Sequence, residues 1–321
     1  MAFIFGQFEK MYKDVLFKRH DPDGTIFYFS SDDFEGLNRR ALSFLSKKGQ
    51  MLKGAFYFYA NPRTDRLIVF DHGLGTGHRA YLREIEMLCR HGYTVFSYDH
   101  TGCGESQGES VMGLSGSLSD LDDCLSALKK LPQLAGVEIS VVGHSWGGYS
   151  TLNILGYHSD IHSVVAMSGF LSVKAMQRQI VPFVIFPMRK QLFDLEKRTN
   201  PRYAASSALD VIMTTDKPIL VIHSLDDPTV SAKNNILKLR KETCEKDNIE
   251  FILQNGKGHS VSYTTEAAAY KREFHKHRKR LKKQGLLETD EQKKEFLSAF
   301  DWYEMTDQDE ELWEKIFKFL G

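Results

Sequence analysis

Hydrophobic and polar positions follow two different rhythms along this chain, and the change between them predicts its architecture. The segment RRALSFLSKKGQMLKGAFYFYA, beginning at Arg39, reads as two strands joined by a turn at Lys48-Gly49. Downstream, short runs rich in β-branched and aromatic residues alternate with amphipathic stretches. The runs are RLIVFDHG, YTVFSYDH, VEISVVGHS, HSVVAMSG, PILVIHS and IEFILQNG, and between them lie HRAYLREIEMLCRHG, LSDLDDCLSALKKL, GGYSTLNILGYHS and SAKNNILKLRKETC. The runs are apolar at successive positions, as in strands covered on both faces. Alternation of strand and helix then predicts an α/β fold, a mostly parallel eight-stranded sheet flanked by helices.

One interval breaks the rhythm. The stretch from Leu171 to Lys217 is too long for a bare connection and contains helical segments around VKAMQRQI and MRKQLFDLEKR, joined by the apolar VPFVIFP. It predicts a small helical cap, about residues 171–217, whose Val181, Phe183, Val184, Ile185 and Phe186 would wall an apolar pocket. A helical extension over about 262–321 is expected to pack on the body of the domain. Near the start, Ile4, Phe8, Met11 or Tyr12, and Val15 recur at helical spacing, a stripe suited to core packing or to a homo-oligomer. No repeat or Pro/Gly/Ser-rich linker divides the chain, so residues 1–321 are expected to form one domain.

Composition narrows the function. The chain has 321 residues, 42% of them hydrophobic, and 42 Lys plus Arg balance 42 Asp plus Glu, so no overall field draws it to nucleic acid or anionic lipid. The basic run KREFHKHRKRLKK, residues 271–283, is read as the outer face of a solvated helix beside an acidic segment running from Glu288 to Glu314. The four cysteines show no metal or redox spacing, which fits a reduced cytoplasmic setting without metal or organic cofactor. Cys103, between two glycines, has no cation nearby in sequence to activate it and is read as a small residue in a tight loop. No secretory signal opens the chain, and the longest apolar run, IVPFVIFPM, is about half the ~20 residues needed to span a bilayer.

The pattern Gly-x-Ser-x-Gly occurs twice, at Ser106 and at Ser145. An attacking serine needs a sharp turn that holds its hydroxyl clear of the sheet, with glycines where a β-carbon would collide with the turn. Ser145 lies between the apolar run EISVV and the helical WGGYSTLNILGY, whereas Ser106 sits in the loop GCGESQG with neither strand nor helix adjoining. Ser145 is therefore the candidate nucleophile and Ser106 a loop hydroxyl satisfying local backbone groups. His259 in GKGH follows the last strand and is the candidate base, while Asp226 and Asp227 both stand where an orienting acid could lie. Trp146 opens the elbow helix, so its N–H can hold a developing oxyanion.

Five motifs in order, FDHGLGTG, YDHTGCGESQG, VVGHSWGG, VIHSLDDPTV and GKGHSV, resemble the α/β-hydrolase fold superfamily over about residues 40–265. Within it the chain is similar to serine hydrolases related to monoacylglycerol lipases, carboxylesterases and the serine aminopeptidase group. The resemblance implies a Ser-Asp-His order. It selects Asp227 over Asp226, because Ser224 stands where the family has a glycine and Val230 where it has a valine. It also implies Leu74 as the second oxyanion donor. A phosphate-binding turn at HGLGTG is the rival for that segment, but it lacks the acidic residue and full glycine spacing of a dinucleotide fingerprint.

These readings converge on a hydrolase cleaving a largely uncharged carboxylic ester, a small-molecule acyl substrate, with no nucleic acid and no stable membrane insertion. The rivals are a peptidase of the proline iminopeptidase type, a thioesterase or acyltransferase using the same three residues, and a binding module that has kept the fold. His144 departs from the glycine usual before the serine in the iminopeptidases.

Overall fold

The hairpin forms where the alternation places it. Strands β1 (Asn38–Leu45) and β2 (Met51–Phe58) run antiparallel with Leu45 opposite Met51. Gly49 takes the left-handed turn at φ 85° that a β-carbon would resist. In this computed structural model, which describes residues 2–75 and 77–321 and side chains from residue 6, six further strands follow. They are β3 (Arg66–Asp71), β4 (Thr94–Tyr98), β5 (Glu138–His144), β6 (Val164–Met167), β7 (Ile219–Ser224) and β8 (Ile249–Gln254). The sheet is eight-stranded in the order β1-β2-β4-β3-β5-β6-β7-β8, antiparallel between β1 and β2 and between β2 and β4, and parallel elsewhere.

Each face of the sheet carries its own apolar layer, which is why the central strands read as continuous apolar runs. On one side, Val69, Val141 and Ala166 pack with Leu118, Leu121 and Leu152 of the helices Gly116–Leu128 and Trp146–Ile154. On the other, Ile68, Val142 and Ile222 pack with Ile85 and Leu88 of helix Leu82–Arg90. The final helix, Glu310–Leu320, joins this second layer through Leu312, Trp313, Ile316, Phe317 and Leu320, one face at three- and four-residue spacing. This last helix thus packs on the body, while Phe274, Leu287, Phe296 and Met305 earlier in the C-terminal segment form an apolar cluster of their own. Asp309 caps that helix, accepting from the Leu312 N–H at 3.1 Å.

Two sequence expectations change. In the N-terminal helix, Ala2–Leu16, the core-facing stripe is the buried Tyr12 and Leu16 with the partly buried Phe8, while Met11 and Val15 are exposed; the side chain of Ile4 lies outside the described residues. The phase is set by Tyr12, whose hydroxyl is held by Glu196 and Gln177. Between β6 and β7 the predicted helices occur as Val173–Ile180 and Met188–Thr199, with a third at Ala208–Thr214. Their apolar linker divides differently from the pocket wall expected of it. Val181 and Ile185 anchor in the core, whereas Phe183, Val184 and Phe186 are solvent-exposed.

A polar contact adds to the apolar anchors of this insertion. Glu196 of helix Met188–Thr199 is fully buried and accepts from the Tyr12 hydroxyl at 2.8 Å, the Leu114 N–H at 2.8 Å and the Ser115 hydroxyl at 3.1 Å. A buried carboxyl needs such partners. The contact ties the insertion to the N-terminal helix and to the entry of helix Gly116–Leu128.

Candidate active site

In an open α/β sheet, sites form beyond the carboxyl ends of the parallel strands. Ser145 follows β5 directly and is held at φ 58° and ψ −111°, a strained backbone for a residue with a side chain. The strain is imposed by packing on both sides. A β-carbon at Gly147 would lie 1.9 Å from the Asp71 carbonyl oxygen, and one at Gly143 would lie 2.4 Å from that of Gly147. Only glycine lets the elbow press this close to β3.

His259 Nε2 lies 2.8 Å from the Ser145 hydroxyl oxygen, and Nδ1 lies 2.7 Å from Asp227 Oδ2. The other Asp227 oxygen, Oδ1, accepts from the N–H groups of Thr229 at 2.8 Å and Val230 at 2.9 Å. Burial pushes the Asp227 carboxyl up, but the His259 ring and those two N–H groups outweigh it and hold it below its ordinary value. The ionised acid therefore fixes Nδ1 as the protonated nitrogen and leaves Nε2 to accept from serine.

Asp226 turns elsewhere. Its carboxylate accepts from the Ser224 hydroxyl and from the N–H groups of Gly256 at 3.0 Å and Gly258 at 3.3 Å, bracing the loop that carries His259. Ser106 is buried as well. Its hydroxyl donates to the Asp99 carbonyl at 2.5 Å and accepts from the Lys53 N–H at 2.9 Å. This is the local backbone role expected of it. Cys103 is buried too, and burial raises its thiol.

The segment after β3 is pinned beside the elbow. A β-carbon on Gly73 would lie 3.3 Å from Ser145 Cβ, which sets the segment against the elbow. His72 Nδ1–H donates to the Gly73 carbonyl at 2.7 Å while Nε2 accepts from the His100 N–H at 3.1 Å. At the far end, Asp99 accepts from both the backbone N–H of His78 at 2.8 Å and its ring at 2.6 Å. Trp146, the first residue of the elbow helix, is locked by its indole N–H donating to the Leu114 carbonyl at 2.7 Å. Behind it, His100 packs 4.8 Å from the Trp146 ring; burial pushes its pKa down, but Asp71 and Asp120 raise it to about 9.

One contact chain was not legible in the sequence. His144 Nε2 lies 2.7 Å from the His259 carbonyl, which can only accept, so Nε2 carries the proton. Nδ1 then accepts from the Tyr81 hydroxyl at 2.9 Å. Burial, and next the neighbouring His259, push the His144 pKa down to about 3, consistent with a neutral ring. Tyr81 and His144 thus hold the backbone of His259 while Asp227 holds its ring. Tyr81→Phe removes the donor to a partly buried nitrogen and is expected to cost about 1 kcal/mol on urea unfolding. An unchanged midpoint would show the contact to be idle.

A cavity of about 400 Å³ opens beside this segment, lined by Leu74, His144, Tyr263, Lys271 and Trp302 among others. The basic helix, Thr265–Lys283, is therefore not only a solvated appendage, since Lys271, Phe274, His275 and Arg278 face the cavity. No group of three or more His, Cys, Asp or Glu suited to a metal ion occurs among the described residues. Among them, too, no helix is long and apolar enough to cross a membrane.

A mostly parallel eight-stranded sheet with a strained serine between β5 and its helix places the chain in the α/β-hydrolase superfamily. Residues 62–245 match the model of the family described as serine aminopeptidase, S33, and the chain belongs to that family of hydrolases. It is 25% identical over 273 residues to the uncharacterized protein YqkD of Bacillus subtilis (strain 168), an alignment covering 82% of this chain and 86% of that one. Among solved structures it is similar to the Pyrococcus furiosus esterase Pf2001, with a TM-score of 0.59, 19% identity and coverage of 83% of this chain and 98% of the esterase. It is also similar to the Pyrococcus horikoshii acylaminoacyl peptidase, with a TM-score of 0.56, 16% identity and coverage of 76% and 41%. At such identities these likenesses concern the fold.

Proposed function

We propose that the protein is a serine hydrolase that cleaves carboxylic esters through an acyl-enzyme. The observation carrying this reading is the line of contacts from Asp227 through His259 to Ser145, at 2.7 and 2.8 Å. Ser145 Oγ attacks the ester carbonyl as His259 Nε2 takes its proton, and Asp227 stabilises the resulting imidazolium. The N–H groups of Leu74 and Trp146 receive the oxyanion, each worth ~3 kcal/mol where such donors have been removed. His259 returns the proton to the departing alcohol, leaving Ser145 acylated. Water then attacks the acyl-enzyme, with His259 again as base, and releases the acid.

Cleavage of amides is the second reading, favoured by the description of the family model. We place the enzyme in the cytoplasm, a reading that the four free cysteines support. The test is labelling by a fluorophosphonate followed by turnover of p-nitrophenyl esters beside aminoacyl arylamides. Label on Ser145 with faster ester turnover is the expected result. Label elsewhere would overturn the nucleophile, and preference for arylamides would make the enzyme a peptidase.

A further inference from the structure

The cavity beside Leu74 draws part of its wall from residues 20–29 and from beyond residue 259, outside the family-matched region. Its charges are unevenly spent. Asp21 pairs with Arg19, and Asp23 pairs with Arg278 and Lys282. Among the described residues, the wall cations Arg79, Arg83 and Lys271 have no carboxylate in ion-pairing distance. Arg79 donates to the Phe29 and Tyr28 carbonyls, each at 3.3 Å, and Arg83 lies 5.3 Å over the Tyr303 ring. Lys271 is the least satisfied. Its ammonium reaches the Tyr263 hydroxyl at a long 3.4 Å and sits 4.4 Å over that ring.

Glu84 also lines the cavity, 3% exposed. One of its oxygens accepts from the Ser262 hydroxyl at 3.1 Å, and the other has no hydrogen-bond partner among the described residues. Lys271 and Glu84 attract each other without reaching ion-pairing distance; an ammonium without a direct ion pair and a buried carboxyl with an open oxygen are both costly, and one ligand group could relieve both. Burial raises the Glu84 carboxyl and lowers the Lys271 ammonium, and the attraction between the two opposes both shifts without cancelling them. A monoanion suits them. It would take a charged hydrogen bond from Lys271 and could share one proton with the Glu84 carboxyl.

We propose that this cavity binds a carboxylate carried by the substrate, with Lys271 as its cationic partner and Glu84 as its second contact. The proposal rests on the reading of Ser145 as nucleophile, and it replaces the uncharged substrate expected from the sequence.

The test compares mono-p-nitrophenyl glutarate with its methyl ester. The acid should exceed the methyl ester in kcat/KM by about tenfold or more, as a buried charge-assisted hydrogen bond provides. Lys271→Met should abolish that ratio through KM, Lys271→Arg should keep most of it, and Glu84→Gln should keep it because an amide N–H replaces the carboxyl O–H. Lys276→Met, on the exposed face of the same helix, should leave the ratio unchanged.

Binding of monobenzyl glutarate against benzyl pentanoate to the Ser145→Ala protein, by calorimetry, reads the cavity without catalysis. Tighter binding of the acid, lost with Lys271→Met, supports the proposal even if Ser145 proves not to be the nucleophile. Turnover of both esters through Ser145 with no preference for the acid, or an equal effect of Lys271→Met on both, would overturn the cavity proposal alone.

Discussion

Ser145→Ala is expected to lower kcat on a p-nitrophenyl ester by about 10⁶-fold, to what binding and oxyanion donors alone sustain. The hydroxyl is the only group of that side chain within reach of His259 Nε2, at 2.8 Å, and alanine leaves the base nothing to activate. The same substitution at the other Gly-x-Ser-x-Gly should act on a different quantity. Ser106 bridges the Asp99 carbonyl and the Lys53 N–H in the interior, so Ser106→Ala should cost about 1–3 kcal/mol of stability while kcat per folded molecule is retained. Steady-state rates of the two variants, with urea unfolding of each, separate the roles. Loss of turnover in Ser106→Ala with turnover intact in Ser145→Ala would reverse the assignment.

How far the sequence discloses this arrangement depends on whether local pattern or distant packing decides it. The strands are legible because the central ones are covered on both faces and must be apolar throughout, and the elbow because strand, glycine turn and helix are contiguous. The phase of the N-terminal helix was not, since Met11 and Tyr12 both satisfy the spacing and only the polar socket of Tyr12, made by Glu196 and Gln177, separates them. Hydrophobicity misled at Phe183, Val184 and Phe186, because a short linker can expose large side chains when its neighbours Val181 and Ile185 already anchor it. The basic helix misled in the opposite sense: charge suggested solvent, yet Lys271 is turned into a cavity. Tyr81 and His144 left no sequence signal at all, being 63 positions apart.

Asp227→Asn should lower kcat by about 10⁴-fold, with Asp226→Asn far less damaging. The large effect follows from where the hydrogens must go. Asp227 Oδ1 receives two backbone N–H donors, from Thr229 and Val230, so an asparagine there must keep its oxygen on that side. Its NH₂ then faces His259 Nδ1, which must become the acceptor, and the ring proton moves to Nε2. A protonated Nε2 cannot take the proton of Ser145, so the geometry survives while the base is lost. At Asp226 the partners are all donors, the Ser224 hydroxyl and the N–H groups of Gly256 and Gly258, and an asparagine oxygen still accepts from them. The carboxylate of Asp227 lies below its ordinary pKa of about 3.9. It is therefore already ionised at near-neutral pH, and the acid limb of the rate profile should not track it. The pH dependence of kcat/KM for the two variants tests this directly: a larger loss at Asp226 would transfer the role of the acid to it, and equal losses would show that bracing the loop matters as much as setting the tautomer.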